Sequence, residues 1–199
     1  MRRQRNFIGP QGMGGMVSLC GASSLVKSRQ SGFCTLGNAS SQGNTTINAV
    51  DMTNSICLYN GWYHAITSGT RPRDSWARVA LQSATNVRAT MDLNGSGVDG
   101  VLYWTVVEFM PGIIKSIQRI TPTINAASGT TNTTITEVNL VKTFLNWGAW
   151  QYSGVEAYNV TDPRDWLAYN TLSTATNVQS SRSGTSNAIT IALEVVEFF

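Results

Sequence analysis

The chain has 199 residues, of which 13% are charged and 42% hydrophobic, and its net charge is +3. That apolar content, with six each of Trp, Tyr and Phe, excludes a disordered chain. Charge well below the usual quarter suits a protein that lives inside an assembly more than a free domain that must stay apart from its copies. The positive excess sits near the start, where Arg2, Arg3 and Arg5 are three of the nine Lys/Arg in residues 1–110.

Residues 1–24 read as a separate piece. The basic start leads through Phe7 and Ile8 into Gly9-Pro10-Gln11-Gly12-Met13-Gly14-Gly15-Met16, a strand-poor, flexible composition. A solvated terminus is one reading. The apolar side chains of Phe7, Ile8, Met13 and Met16 favour the other, an extended arm that orders on a neighbouring subunit, with Arg2, Arg3, Arg5, Phe7 and Ile8 as its contacts. The Gly-rich stretch stands where a signal peptide needs an apolar run, so synthesis in a cytoplasm is expected. No stretch approaches about 18 continuous apolar residues, so no membrane span is expected.

From Leu25 onward the sequence repeats itself. Leu25-Val26-Lys27-Ser28-Arg29-Gln30 matches Ile113-Ile114-Lys115-Ser116-Ile117-Gln118, Asn44-Thr45-Thr46-Ile47 matches Asn132-Thr133-Thr134-Ile135, and Trp62 falls on Trp150, all at an offset of 88 residues. The offset becomes 91 at Pro72-Arg73-Asp74 and Pro163-Arg164-Asp165, and stays there at Ser83-Ala84-Thr85-Asn86-Val87 and Thr174-Ala175-Thr176-Asn177-Val178. It is 89 at the closing stretches, Val106-Val107-Glu108-Phe109 and Val195-Val196-Glu197-Phe198. The drift puts insertions in loops on a retained core. A collinear series of this kind implies tandem duplication, with units at residues 25–110 and 111–199.

Within a unit the pattern is β. Short runs rich in Val, Ile, Thr, Tyr and Trp are divided by Gly/Asn/Ser clusters about every ten residues. The turn Asn94-Gly95-Ser96-Gly97 reads as a hairpin joining 86–93 to 101–109. A helix is conceivable at Asp74–Gln82 or Asp165–Leu172, though neither keeps a 3.6-residue period. The closing strands are apolar on both faces and are expected to be buried on both sides, by the partner sheet and by another domain or subunit. The predicted fold is all-β: two tandem homologous antiparallel β-sandwich or jelly-roll-like domains behind an extended N-terminal arm.

Chemistry is poorly signalled. His64 is the only histidine and its repeat position holds Tyr152, so a His-based site would exist once. Beside Trp62 and Tyr63 it reads as a packed ring and not a base. Cys20, Cys34 and Cys57 have neither zinc-ligand nor disulfide-frame spacing and read as reduced thiols. No catalytic residue, cofactor or metal is expected. Glu108 and Glu197 on apolar strands need cationic partners, and matched occurrence makes Arg73–Glu108 and Arg164–Glu197 the candidate ion pairs. Trp62, Trp147 and Trp150 are candidate loop aromatics for a sugar or receptor, or else core filler. Three arginines give only weak, salt-sensitive contact with phosphate, which argues against nucleic acid.

A Thr/Asn/Gly-rich β-unit ending in Ala-Thr-Asn-Val, a turn and Val-Val-Glu-Phe, repeated in tandem behind a basic Gly-rich arm, resembles the small virion structural proteins of tailed bacteriophages. The resemblance covers residues 25–199. It implies a non-enzymatic protein that decorates or cements a capsid, resident in the virion, assembled as a homotrimer or ring with itself and bound to the major capsid or tail proteins. The alternative it leaves open is a tail or fibre component that binds host receptor or glycan through the loops after Trp62 and Trp150. A small-virus coat protein with an RNA-binding arm fits the duplication and weak basicity less well.

Overall fold

The structure is a computed structural model that describes residues 25–37, 40–64, 76–91, 100–153, 167–184 and 188–199. Arg2, Arg3, Arg5, Phe7 and Ile8 of the expected arm lie outside these, as do residues 65–75 and 154–166. The protein is all-β. The first half contributes β1 (Val26–Leu36), β2 (Gln42–Thr46), β3 (Ser55–His64), β4 (Ala77–Ser83), β5 (Asn86–Met91) and β6 (Gly100–Phe109). The second contributes β7 (Ile114–Ile120), β8 (Thr123–Ile124), β9 (Thr130–Thr134), β10 (Thr143–Ser153), β11 (Ala168–Thr174), β12 (Asn177–Arg182) and β13 (Ala188–Phe198).

All strand pairs are antiparallel, and the two halves share one strand order. Sheets β1-β6-β3 and β2-β5-β4 form the first half. Sheets β7-β13-β10 and β9-β12-β11 form the second, with β8 continuing β7 along β13. Pro122 separates β7 from β8 at the position that Cys34 holds inside the unbroken β1. Lacking an N–H, proline cannot donate to the ladder there.

Apolar alternation builds each core. In β6, Leu102, Trp104 and Val106 point inward onto Val79 and Leu81 of β4 and Val87 of β5. In the second half, Ile189, Ile191, Leu193 and Val195 of β13 pack with Ile124, Val178 and Trp150. Each closing strand is central in its sheet, so it meets the opposite sheet on one face.

Two expectations are corrected. Residues 77–83 and 168–174 are strands, because Ala77, Val79 and Leu81 alternate inward with a period of two. The flanks of Asn94–Gly97 do not form a hairpin: β5 and β6 lie in different sheets. The tight hairpins are β4–β5 and β11–β12. Their turn carbonyls at Ala84, Thr85, Ala175 and Thr176 accept bonds from Val50, Ile47, Val138 and Ile135 in turn, which gives the recurring Ala-Thr-Asn a structural role. Within the chain β13 is buried on both faces, whereas β6 carries the outward Tyr103 46% exposed.

Candidate functional site

Each half closes on a buried carboxylate. Glu108 of β6 accepts hydrogen bonds from Lys27 Nζ at 2.8 Å, Ser28 Oγ at 2.9 Å and the Asp51 N–H at 3.0 Å. Glu197 of β13 repeats this with Lys115 Nζ at 2.8 Å, Ser116 Oγ at 3.2 Å and the Asn139 N–H at 2.9 Å. Burial is the largest single influence on Glu108 and works against its charge, but the bonds from Lys27, Asp51 and Ser28 outweigh it and hold its pKa below the ordinary value. At Glu197 the bond from Lys115 leads, followed by the Asn139 N–H, and the pKa is again lowered. The cation in each latch is therefore a lysine, where an arginine was expected. β1 and β7 lie directly beside the closing strands and bring Lys27 and Lys115 into reach, while Arg73 and Arg164 lie outside the described residues.

The aromatics are also relocated. Trp62 stands on β3, and Trp147 and Trp150 stand on β10, not in loops. Trp150 is only 3% exposed. It stacks between Trp76 at 4.7 Å and Trp147 at 4.8 Å between ring centres, which closes it to a sugar. A one-residue register slip in each strand, after Tyr59 and after Trp147, sets these rings. Gly61 and Ala149 take positive φ at the equivalent bulge positions, as bulges commonly require.

The seam between the halves holds a third carboxylate, Glu194, that sequence reasoning missed. Arg119 Nε donates to it at 3.0 Å, Asn146 Nδ2 at 2.7 Å and the Cys57 N–H at 3.0 Å. Asn146 also donates to the Cys57 carbonyl at 2.9 Å, and Arg119 Nη2 to the Ser55 carbonyl at 2.6 Å. Side chains of the second half thus satisfy the outward backbone groups of β3, the edge strand of its sheet, as a neighbouring strand would. Burial dominates at Glu194 and raises its pKa, against the pull of Arg119 and the N–H donors. A usable signal existed in the repeat. At the equivalent positions the first half has Thr105, Ser31 and Leu58, so three polar or charged residues appear together where one copy departs from the other.

Apolar contact completes the seam. Ile56, Ile114 and Val196 form a small core of their own. Phe109 meets Phe198 edge-on at 6.3 Å and Tyr59 meets Trp147 at 6.0 Å, each pair being repeat-equivalent. Gly148 permits a close backbone approach, since a Cβ there would lie 2.3 Å from the Val79 carbonyl oxygen. A cavity of about 250 Å³ lies along the seam, lined by Met52, Arg78, Gln82, Thr121 and Glu194 among others. Its cations are engaged locally, Arg78 with Gln151 and Arg119 with Glu194. Among the described residues no three His, Cys, Asp or Glu side chains gather as a metal site, and no helix is long and apolar enough to cross a membrane.

What the described surface offers instead is rings. Phe33 and Tyr103 lie together on the outer face of the first half, 6.1 Å apart, with Tyr63 also exposed on that sheet. On the second half Phe144, Trp147, Leu167 and Tyr169 are exposed. Exposed apolar groups in this number mark sites for protein contact. Comparison of the chain with protein-family models, curated proteins and solved structures finds no match.

Proposed function

We propose that this chain is a non-enzymatic structural protein of a virion, one that decorates or cements the capsid of a tailed phage. The observation that carries this reading is the set of exposed rings, Phe33, Tyr63 and Tyr103 on the β1-β6-β3 face and Phe144, Trp147 and Tyr169 along the edge strands β10 and β11. Such faces suit protein docking, and the low surface charge suits life among close neighbours. The buried Glu108 and Glu197 latches make each sandwich a rigid block, which is what a fitted shell component needs. In this reading the basic arm, residues 1–24, reaches onto the adjoining shell protein.

The test is location in purified particles, by cryo-electron microscopy of wild-type particles and of particles carrying a deletion of residues 2–16. Density on the capsid surface that disappears with the deletion, while the purified variant stays folded, is the expected result. Density confined to the tail would overturn the capsid assignment. Absence from the particle would overturn the virion reading altogether.

A further inference from the structure

We propose that the contact between the two halves is used a second time, between chains: the β10/β11 edge of one copy docks on the β1-β6-β3 face of the next, so that the protein assembles head to tail. This inference goes beyond the virion reading and rests on intramolecular packing alone, so it can fail while that reading stands.

The internal contact is not two-fold symmetric. The first half presents an edge, the β3 backbone and β4, through Ser55, Cys57 and Val79, together with the adjoining margin of its outer face at Ile56, Leu58, Val107 and Phe109. The second half presents a face, through Arg119, Gly148 and Glu194. Yet two repeat-equivalent pairs, Tyr59 with Trp147 and Phe109 with Phe198, touch across it. Equivalent residues in contact across an asymmetric interface fit stacked repeats, in which each unit meets its neighbours through one edge and one face. A stack of two leaves one edge and one face over.

Both leftover surfaces are open at several of the positions that the internal contact closes, while Thr105, the counterpart of Glu194, is buried against Ser31 and Asn60. On the face, Ile114 and Ala192 of the second half are each 4% exposed, whereas the equivalent Val26 and Tyr103 of the first half are 39% and 46% exposed. On the edge, Ile56 of the first half is 5% exposed, whereas the equivalent Phe144 is 37% exposed. Arg78 lies half-buried in the seam, and its counterpart Tyr169 is 61% exposed. An edge and a face that fit each other in one chain therefore remain to be matched by a second copy. Contacts of this heterologous kind close into rings or continue as filaments.

The contact between chains is a looser version of the internal one. Asn60 replaces Gly148 and Tyr103 replaces Ala192, so the backbones stand farther apart and the rings of Tyr103 and Tyr169 fill the space. Thr105, Ser31 and Leu58 replace Glu194, Arg119 and Asn146, so no ionic latch forms. Association is apolar, reversible and dependent on concentration.

Sedimentation velocity of the full chain across the micromolar range tests this, with Tyr103→Glu to spoil the face and Tyr169→Glu to spoil the edge. The wild type is expected to form concentration-dependent oligomers, and each variant alone to self-associate at least tenfold more weakly. An equimolar mixture of the two is expected to yield dimers and nothing larger, because each dimer joins the intact edge of one variant to the intact face of the other. A monomeric wild type, a Tyr169→Glu protein that assembles normally, or a mixture that forms no dimer would each overturn the proposal. Circular dichroism verifies folding, and Phe33→Glu with Leu167→Glu repeats the comparison if either tyrosine variant misfolds.

Discussion

Arg119→Ala probes the seam most directly. The substitution removes two charge-assisted bonds, to Glu194 at 3.0 Å and to the Ser55 carbonyl at 2.6 Å. It leaves Glu194, 7% exposed, with only Asn146 and the Cys57 N–H as donors. Stranding one member of a buried pair costs about 3–5 kcal/mol. The Arg119 side chain is 24% exposed, so water partly screens the pair and the lower end, about 3 kcal/mol, is expected. Glu194→Gln in the Arg119→Ala background keeps an acceptor for the Cys57 N–H and removes the stranded charge, so it should restore about 1–2 kcal/mol, a coupling of ordinary size for touching residues. The pH dependence has a defined sign. A carboxyl whose folded pKa is raised binds its proton more tightly in the folded state, so its contribution is most favourable below the unfolded value and worsens as pH rises through the folded value. The Arg119→Ala deficit should therefore shrink on acidification. Urea unfolding followed by tryptophan fluorescence reads it, since Trp76, Trp147 and Trp150 line the seam. A deficit under about 1 kcal/mol, or strict additivity with Glu194→Gln, would refute the reasoning.

The other latches behave oppositely with pH. Glu108 and Glu197 have lowered pKa values, so their stabilisation is present above the ordinary value of 4.5 and is lost as pH falls through the folded values. Glu108→Gln and Glu197→Gln should each cost about 1–3 kcal/mol at neutral pH and flatten the acid limb of a stability–pH curve. Gly148→Ala places a Cβ against the Val79 backbone; overpacking that no rotamer can relieve should cost about 1–3 kcal/mol in chemical denaturation. Ile114→Ala should cost about 2–5 kcal/mol, as for a filled core site. The repeat-equivalent Val26→Ala should cost under about 1 kcal/mol, and equal losses at the two would contradict the asymmetry between covered and open faces.

Strand periodicity, turn residues and the two Val-Val-Glu-Phe endings were enough to determine an all-β chain and to pair its elements across the halves, because alternation and turn chemistry are local properties of the chain. Local pattern also marked Glu108 and Glu197 as carboxylates in need of partners. It did not point to Lys27 and Lys115, which reach them only through the pairing of first and last strands, a contact some eighty residues apart in sequence. The Asn94–Gly97 turn misled for the same reason: a turn signal does not say whether the chain returns in its own sheet or crosses to the other. Tertiary structure alone decided which copy of a duplicated surface is covered. Tyr103 and Ala192 occupy equivalent places on equivalent strands, and only the docking of β3 and β4 against β10 and β13 separates the buried position from the bare one. Burial depends on what lies opposite a side chain, and nothing in its own stretch of sequence records that.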